Sequence, residues 1–178
     1  MKKIYLANGL FSEADLMYNE VLYKELTDAG FEVYAPQKNT EINDKSKCAD
    51  SVAIYDGDTD KLKWCDILVA VIDGPVIDPG VASEIGWIAG FNAADKYMDH
   101  LRQNYGDDNS NKVIIGLFTD SREASKTYLE AKNEMMKNSP VECQYPYANL
   151  YTVGAIKKYG RLCTSRQEMM EYLKSLNK

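Results

Sequence analysis

Six consecutive apolar residues, Ile67-Leu68-Val69-Ala70-Val71-Ile72, lie between Asp66 and the turn sequence Asp73-Gly74-Pro75. A strand with one wet face alternates polar and apolar side chains, whereas a run apolar at every position has no solvent face. This segment predicts a strand covered on both sides, and the rest of the chain must supply the cover. Ile4 to Ala7, Phe31 to Tyr34 and Val113 to Phe118 read as further strands, and Arg161 to Cys163 as a short fifth. Helical patterns fall between them. One runs from Ser12 through Ala29, with Ser12 as N-cap, Asp15 as a capping-box carboxylate and Gly30 as the stop. Another runs from about Asp56 to Trp64. A third begins at Asp78-Pro79, an N-cap followed by proline at the first helical position, and continues to Asp95 or to Asn104. Ala124 to Lys137, Asn149 to Tyr159 and Ser165 to Leu176 complete the set. Gln37 to Asp50 reads as a polar loop or loosely helical segment, Gly106 to Asn111 as a turn, and Ser139 to Ala148 as an irregular stretch. Strands that alternate with helices pair in parallel through right-handed crossovers. The expectation is one α/β domain over residues 1–178: a flavodoxin-like doubly wound parallel sheet of about five strands with helices on both faces. Such sheets bind ligands at the carboxyl ends of their strands.

Composition narrows the chemistry. A hydrophobic share of 45% with 27% charged residues fits a globular chain with a single core. No apolar run approaches the roughly 20 residues of a membrane span. The apolar start breaks at Asn8 and Gly9, and Glu13 and Asp15 follow, so it reads as a first strand and not a targeting segment. The net charge of -6, with no Lys/Arg run, argues against nucleic acid and anionic membranes and favours a small substrate or a protein partner. Cys48, Cys65, Cys143 and Cys163 form no C-x-x-C pair and read as reduced thiols of a cytoplasmic protein. His100 is the only histidine, in a polar stretch. A His-rich metal site is excluded, and a Ser/His/Asp or Cys/His mechanism would rest on that one residue. An enzyme of this composition must use carboxylates, tyrosines or lysines.

The segments after the first, third and fourth strands are Asn8-Gly9-Leu10-Phe11, Asp73 to Gly80, and Thr119-Asp120-Ser121-Arg122. None matches a dinucleotide-binding or P-loop glycine pattern. From Gly80 to Ala94 the only charge is Glu84, which falls on the helical arc of Val81, Ile85, Trp87, Ile88 and Phe91. A lone carboxylate held there is costly unless paired or protonated, so it predicts either a salt bridge or a catalytic group. Three other residues have plain structural readings: Asp78 as an N-cap, Asp58 within the acidic stretch Asp56-Gly57-Asp58-Thr59-Asp60 as a solvated turn, and Tyr5 as core packing.

In this setting the sequence resembles the nucleoside 2-deoxyribosyltransferases, from the first strand to about Gly160. Ile4 to Phe11 is similar to the family's opening strand and loop. Asp58, Leu62 and Cys65 to Val69 are similar to its D-x-x-x-[IL] helix and third strand. Asp78-Pro79-Gly80-Val81-Ala82-Ser83-Glu84-Ile85-Gly86 resembles its D-x-G-x-x-x-E-x-G helix, and Asn149-Leu150-Tyr151 its Asn-Leu-aromatic-or-Met segment.

The resemblance implies transfer of 2-deoxyribose between nucleobases. Glu84 would attack C1′ of a 2′-deoxynucleoside to form a covalent deoxyribosyl-enzyme, and an acceptor nucleobase would then take the sugar with net retention. Tyr5 would orient Glu84, Asp58 would manage the proton on the base, and Asp78 would hold the sugar hydroxyls. Gly9, Phe11 and Tyr151 join the expected substrate contacts. Asn149 would reach a neighbouring subunit's site, which implies a homo-oligomer. No metal or organic cofactor is expected, and the implied role is nucleotide salvage. Two departures stand out. The chain continues past Gly160, and Leu10 replaces an aromatic residue of some members. Gln37 and Asn39 are candidate readers of the base edge. Two other readings stay open: an N-glycoside hydrolase acting on deoxynucleosides or their 5′-monophosphates, with Ser83 and nearby glycines at a phosphate, and a non-catalytic nucleotide-binding module.

Overall fold

The computed structural model describes residues 1–40, 50–102, 112–120 and 148–177, with the side chains of 97–102 excepted. The expected helix from Ala124 to Lys137, the turn from Gly106, most of the Ser139 segment, Cys48, Cys143 and the His100 side chain lie outside the described residues.

Five parallel strands form one sheet in the order β2-β1-β3-β4-β5. They are β1 (Lys3–Ala7), β2 (Glu32–Tyr34), β3 (Ile67–Val71), β4 (Val113–Leu117) and β5 (Gly160–Cys163). This is the flavodoxin-like order expected of a doubly wound sheet. All five residues of β3, the central strand, are buried, as its uninterrupted apolar run requires.

The two-residue period of a strand assigns side chains to opposite faces. Ile4, Leu6, Ile67, Val69, Val71, Ile115 and Leu117 pack on one face with Leu22 and Leu26 of α1 (Glu13–Asp28) and Met169 and Leu173 of α5 (Arg166–Leu176). Tyr5, Ala7, Leu68, Ala70 and Ile114 pack on the other. There they meet Leu62 of α2 (Ser51–Trp64), Val81, Ile85 and Ile88 of α3 (Pro79–Arg102), and Val153 and Ile156 of α4 (Leu150–Tyr159).

The helix boundaries follow capping chemistry. Ser12 Oγ accepts from the Asp15 N–H, and Gly30 takes a φ of 87° past the end of α1, a left-handed turn suited to glycine. Asn149 and Ser165 cap α4 and α5. The start of α2 corrects the sequence reading. It begins at Ser51 and not near Asp56, because Asp50 Oδ1 accepts from the Ala53 N–H and nucleates the helix a turn and a half earlier. The acidic stretch around Asp58 is therefore helix, not a solvated turn. Polar Gln37 falls within one 3₁₀ turn, Pro36–Lys38. At Gly160, a Cβ would lie 1.9 Å from the Ile114 carbonyl oxygen, so only glycine lets β5 close on β4. Cys65 and Cys163 are buried free thiols. No described helix is long and apolar enough to cross a membrane.

Candidate active site

The site grows from the register of β1. Tyr5 pairs with Tyr34 of β2 on one side and Leu68 of β3 on the other, so all three side chains leave the sheet on the α2/α3/α4 face. The Tyr5 and Tyr34 rings touch, with centroids 5.2 Å apart and planes tilted by 51°. Tyr5 is fully buried, and its hydroxyl donates to Glu84 Oε1 at 2.5 Å. This is the short geometry of a charge-assisted bond.

Glu84 stands on the second turn of α3, at the rim of the arc buried through Val81, Ile85 and Ile88. No Lys or Arg pairs with it among the described residues, so the salt-bridge reading has no support there. Burial pushes its carboxyl up to about 7, and repulsion from Asp58 and Asp78 adds to this while the Tyr5 hydrogen bond opposes it. Tyr5 itself is raised far beyond the ordinary phenol range, first by burial and then by the Glu84 charge, so it remains a proton donor.

Asp58 reaches the same place from α2. Its carboxyl is also raised by burial, against hydrogen bonds from Tyr34 and Tyr5. Asp58 and Glu84 share a cavity of about 170 Å³ with Tyr55, Thr59, Leu62, Gly80, Ser83 and Trp87. Two partly desolvated carboxylates bridged by one tyrosine can divide the tasks of proton donor and anionic nucleophile.

Asp78 keeps its structural role. Its Oδ1 accepts from the Gly80 and Val81 N–H groups at 2.8 and 3.1 Å, capping α3. It lines a neighbouring cavity of about 450 Å³ with Asn8, Gly9, Asp15 and Asp73, at the carboxyl ends of β1 and β3. Buried Asn19 fixes that loop by accepting from Asn8 and donating to the Gly9 carbonyl. Asp73 ties it to the end of β4 by accepting from Thr119 and Asp120.

The remaining expected residues lie elsewhere in this chain. Phe11 is 92% exposed and lines neither cavity. Tyr151 is 86% exposed and borders a groove of about 480 Å³ between α3 and α4, with Gly86, Gly90, Ala93 and Lys158. Asn149 accepts from the Tyr151 and Thr152 N–H groups as the N-cap of α4. Gln37 donates to Glu20 on α1, whereas Asn39 reaches the Tyr34 hydroxyl. The sequence reading passed over Tyr34. Its signal was available only in combination: a tyrosine at the end of the strand that neighbours Tyr5.

A crystal structure of a conserved protein from Enterococcus faecalis V583 resembles this fold, with a TM-score of 0.79, 38% identity and 99% of each chain covered. A 2-deoxyribosyltransferase from Bacillus psychrosaccharolyticus superposes with a TM-score of 0.43 at 22% identity, over 65% of this chain and 72% of its own. A CMP N-glycosidase from Clostridium botulinum gives 0.49 at 17% identity, over 98% of this chain and 99% of its own. Comparison with curated proteins gives no match. The sequence model of the nucleoside 2-deoxyribosyltransferases matches residues 4–138, which carry β1 through α3 and every residue around Glu84. The chain therefore belongs to the nucleoside 2-deoxyribosyltransferase family, whose members are enzymes of the N-glycosidic bond.

Proposed function

We propose that this protein moves 2-deoxyribose from one nucleobase to another through a deoxyribosyl-Glu84 intermediate. The observation that carries this reading is the Tyr5–Glu84 hydrogen bond of 2.5 Å beside Asp58 in one cavity. Tyr5 occupies Oε1 and leaves Oε2 to attack C1′. The C1′–N bond breaks with its electron pair going to the base, and protonated Asp58 delivers a proton to the ring nitrogen. The oxocarbenium-like charge at C1′ is met by the Glu84 anion. In the second half, a ring nitrogen of the acceptor base attacks C1′ and expels the Glu84 carboxylate, and its proton returns to Asp58. Asp78 and Gly9, in the adjoining cavity, receive the sugar hydroxyls, with Phe11 at the mouth of the β1 loop.

Asn149 and Tyr151 enter this reading from a second copy of the chain. Both lie outside the Glu84 cavity of their own protomer, and both are exposed beside the α3/α4 groove. A homo-oligomer with shared sites, acting in the cytoplasm in nucleotide salvage without a cofactor, is part of the proposal.

The hydrolytic alternative draws on one observation. Gly80 and Ser83, on the first turns of α3, line the Glu84 cavity where a 5′-phosphate could seek N–H donors. However, Asp78 already takes the Gly80 and Val81 N–H groups and adds a negative charge there. This favours nucleosides over monophosphates. Incubation with 2′-deoxyinosine and adenine tests the proposal: 2′-deoxyadenosine supports transfer, free hypoxanthine and deoxyribose alone support hydrolysis, and binding without any product supports a non-catalytic module.

A further inference from the structure

The groups around Asp58 form a directed chain. Asn39 Nδ2 donates to the Tyr34 hydroxyl at 3.1 Å, and the Tyr34 hydroxyl donates to Asp58 Oδ1 at 3.4 Å. An amide nitrogen can only donate, and a phenol has one proton. With Asn39 donating to its oxygen, Tyr34 directs that proton at Asp58. The Tyr34 ring is held from two sides, by Tyr5 at 5.2 Å and by the Lys61 ammonium 5.3 Å from its centroid. The hydroxyl is therefore fixed by packing as well as by hydrogen bonding.

We infer that Tyr34, aimed by Asn39, is a positioning residue that sets the orientation of Asp58 and so governs protonation of the departing base. The inference rests on the function proposed above and deepens it. Among the described residues, three groups bear on Asp58: Tyr34 from β2, Tyr5 from β1 and Glu84 from α3. Of these, Tyr34 directs its proton at Asp58, whereas Tyr5 shares its one proton with Glu84, to which it donates at 2.5 Å. Removing the Tyr34 hydroxyl takes a donor from the carboxylate, so Asp58 holds its proton to higher pH and loses its fixed geometry.

The test compares leaving groups. Wild type, Tyr34→Phe and Asn39→Asp are mixed in single turnover with 2′-deoxyinosine, 2′-deoxycytidine and 4-nitrophenyl β-2-deoxyribofuranoside. Nitrophenolate departs without a proton, whereas both bases need one. Tyr34→Phe keeps the ring and its packing. Asn39→Asp provides an independent variant, because a carboxylate at that position draws the Tyr34 proton away from Asp58. Both variants should slow base release at least about tenfold while nitrophenol release stays within about threefold. In Tyr34→Phe the alkaline limb of the kcat/KM profile for the nucleosides should move to higher pH. Equal losses on all three substrates, or no loss, with unchanged pH limbs would overturn the inference and leave the proposed function standing. A wild type that releases neither base would overturn both.

Discussion

The two faces of the sheet are built from the same strands and do different work. Along β1, Ile4 and Leu6 enter a face closed by α1 and α5, where they pack with Leu22, Leu26, Met169 and Leu173. Tyr5, between them, enters the face of α2, α3 and α4, where Glu84, Asp58 and Tyr34 gather at a cavity. One residue of register separates a packing surface from a reactive one. The first face carries stability at no chemical cost. The second accepts desolvated carboxylates that resist ionising, which is the usual cost of an active site.

The largest contrast should come from Glu84→Gln. Base exchange should fall at least about 10³-fold, roughly 4 kcal/mol of barrier, with the fold intact by circular dichroism. On the opposite face, Leu22→Ala removes a fully buried side chain of α1 and should cost about 3 kcal/mol in urea unfolding. Its kcat/KM, measured well below the unfolding midpoint, should stay within twofold of wild type, to order of magnitude. If Leu22→Ala lost activity while remaining folded, the separation of faces would fail.

Tyr5→Phe should sharpen the comparison with a smaller effect. Losing the donor to Glu84 should lower kcat by about 30-fold, near 2 kcal/mol. It should also move the acid limb of kcat/KM upward, because the Glu84 anion loses its stabilising bond. In wild type that limb should lie near pH 7, since Glu84 must ionise to attack and burial holds its carboxyl at about 7. A limb left at ordinary carboxylate pH would show that Glu84 is not desolvated in solution.

The smallest effect is on stability. Glu84 has a folded-state value raised above that of the unfolded chain. Below the unfolded value both states are protonated and nothing is lost. As pH rises toward about 7 the unfolded chain ionises first, and stability falls until Glu84 ionises in the fold. Glu84→Gln removes this penalty, so it should stabilise the protein on the order of 1–2 kcal/mol at pH 8 and leave it unchanged at pH 4. Thermal melts at the two pH values check the sign.

Much of this was legible in the sequence because it depends on local pattern. The Ile67–Ile72 run fixes a doubly covered strand, and β3 is buried throughout. Glu84 stood out as the lone charge in an apolar helical arc, and Tyr5 meets it across 79 residues of separation. The start of α2 was misplaced because Gly57 and its acidic neighbours mimic a turn, while the helix buries only Thr59 and Leu62 and shows little periodicity. The Asn39–Tyr34–Asp58 chain joins β2, the loop after it and α2. No single segment carries its signal, which appears only when parallel register sets Tyr34 beside Tyr5. Asn149 was legible as a family motif at the start of a helix, and in the fold it serves as the N-cap of α4.

The most direct test of the central claim is to mix the protein with 2′-deoxyinosine without acceptor, quench in acid within milliseconds, and map the peptides by mass spectrometry. The account predicts one deoxyribosyl group on the peptide carrying Glu84, absent in Glu84→Gln and discharged when adenine is added before the quench. Base release with no adduct on that peptide, and a free sugar of inverted configuration, would contradict it.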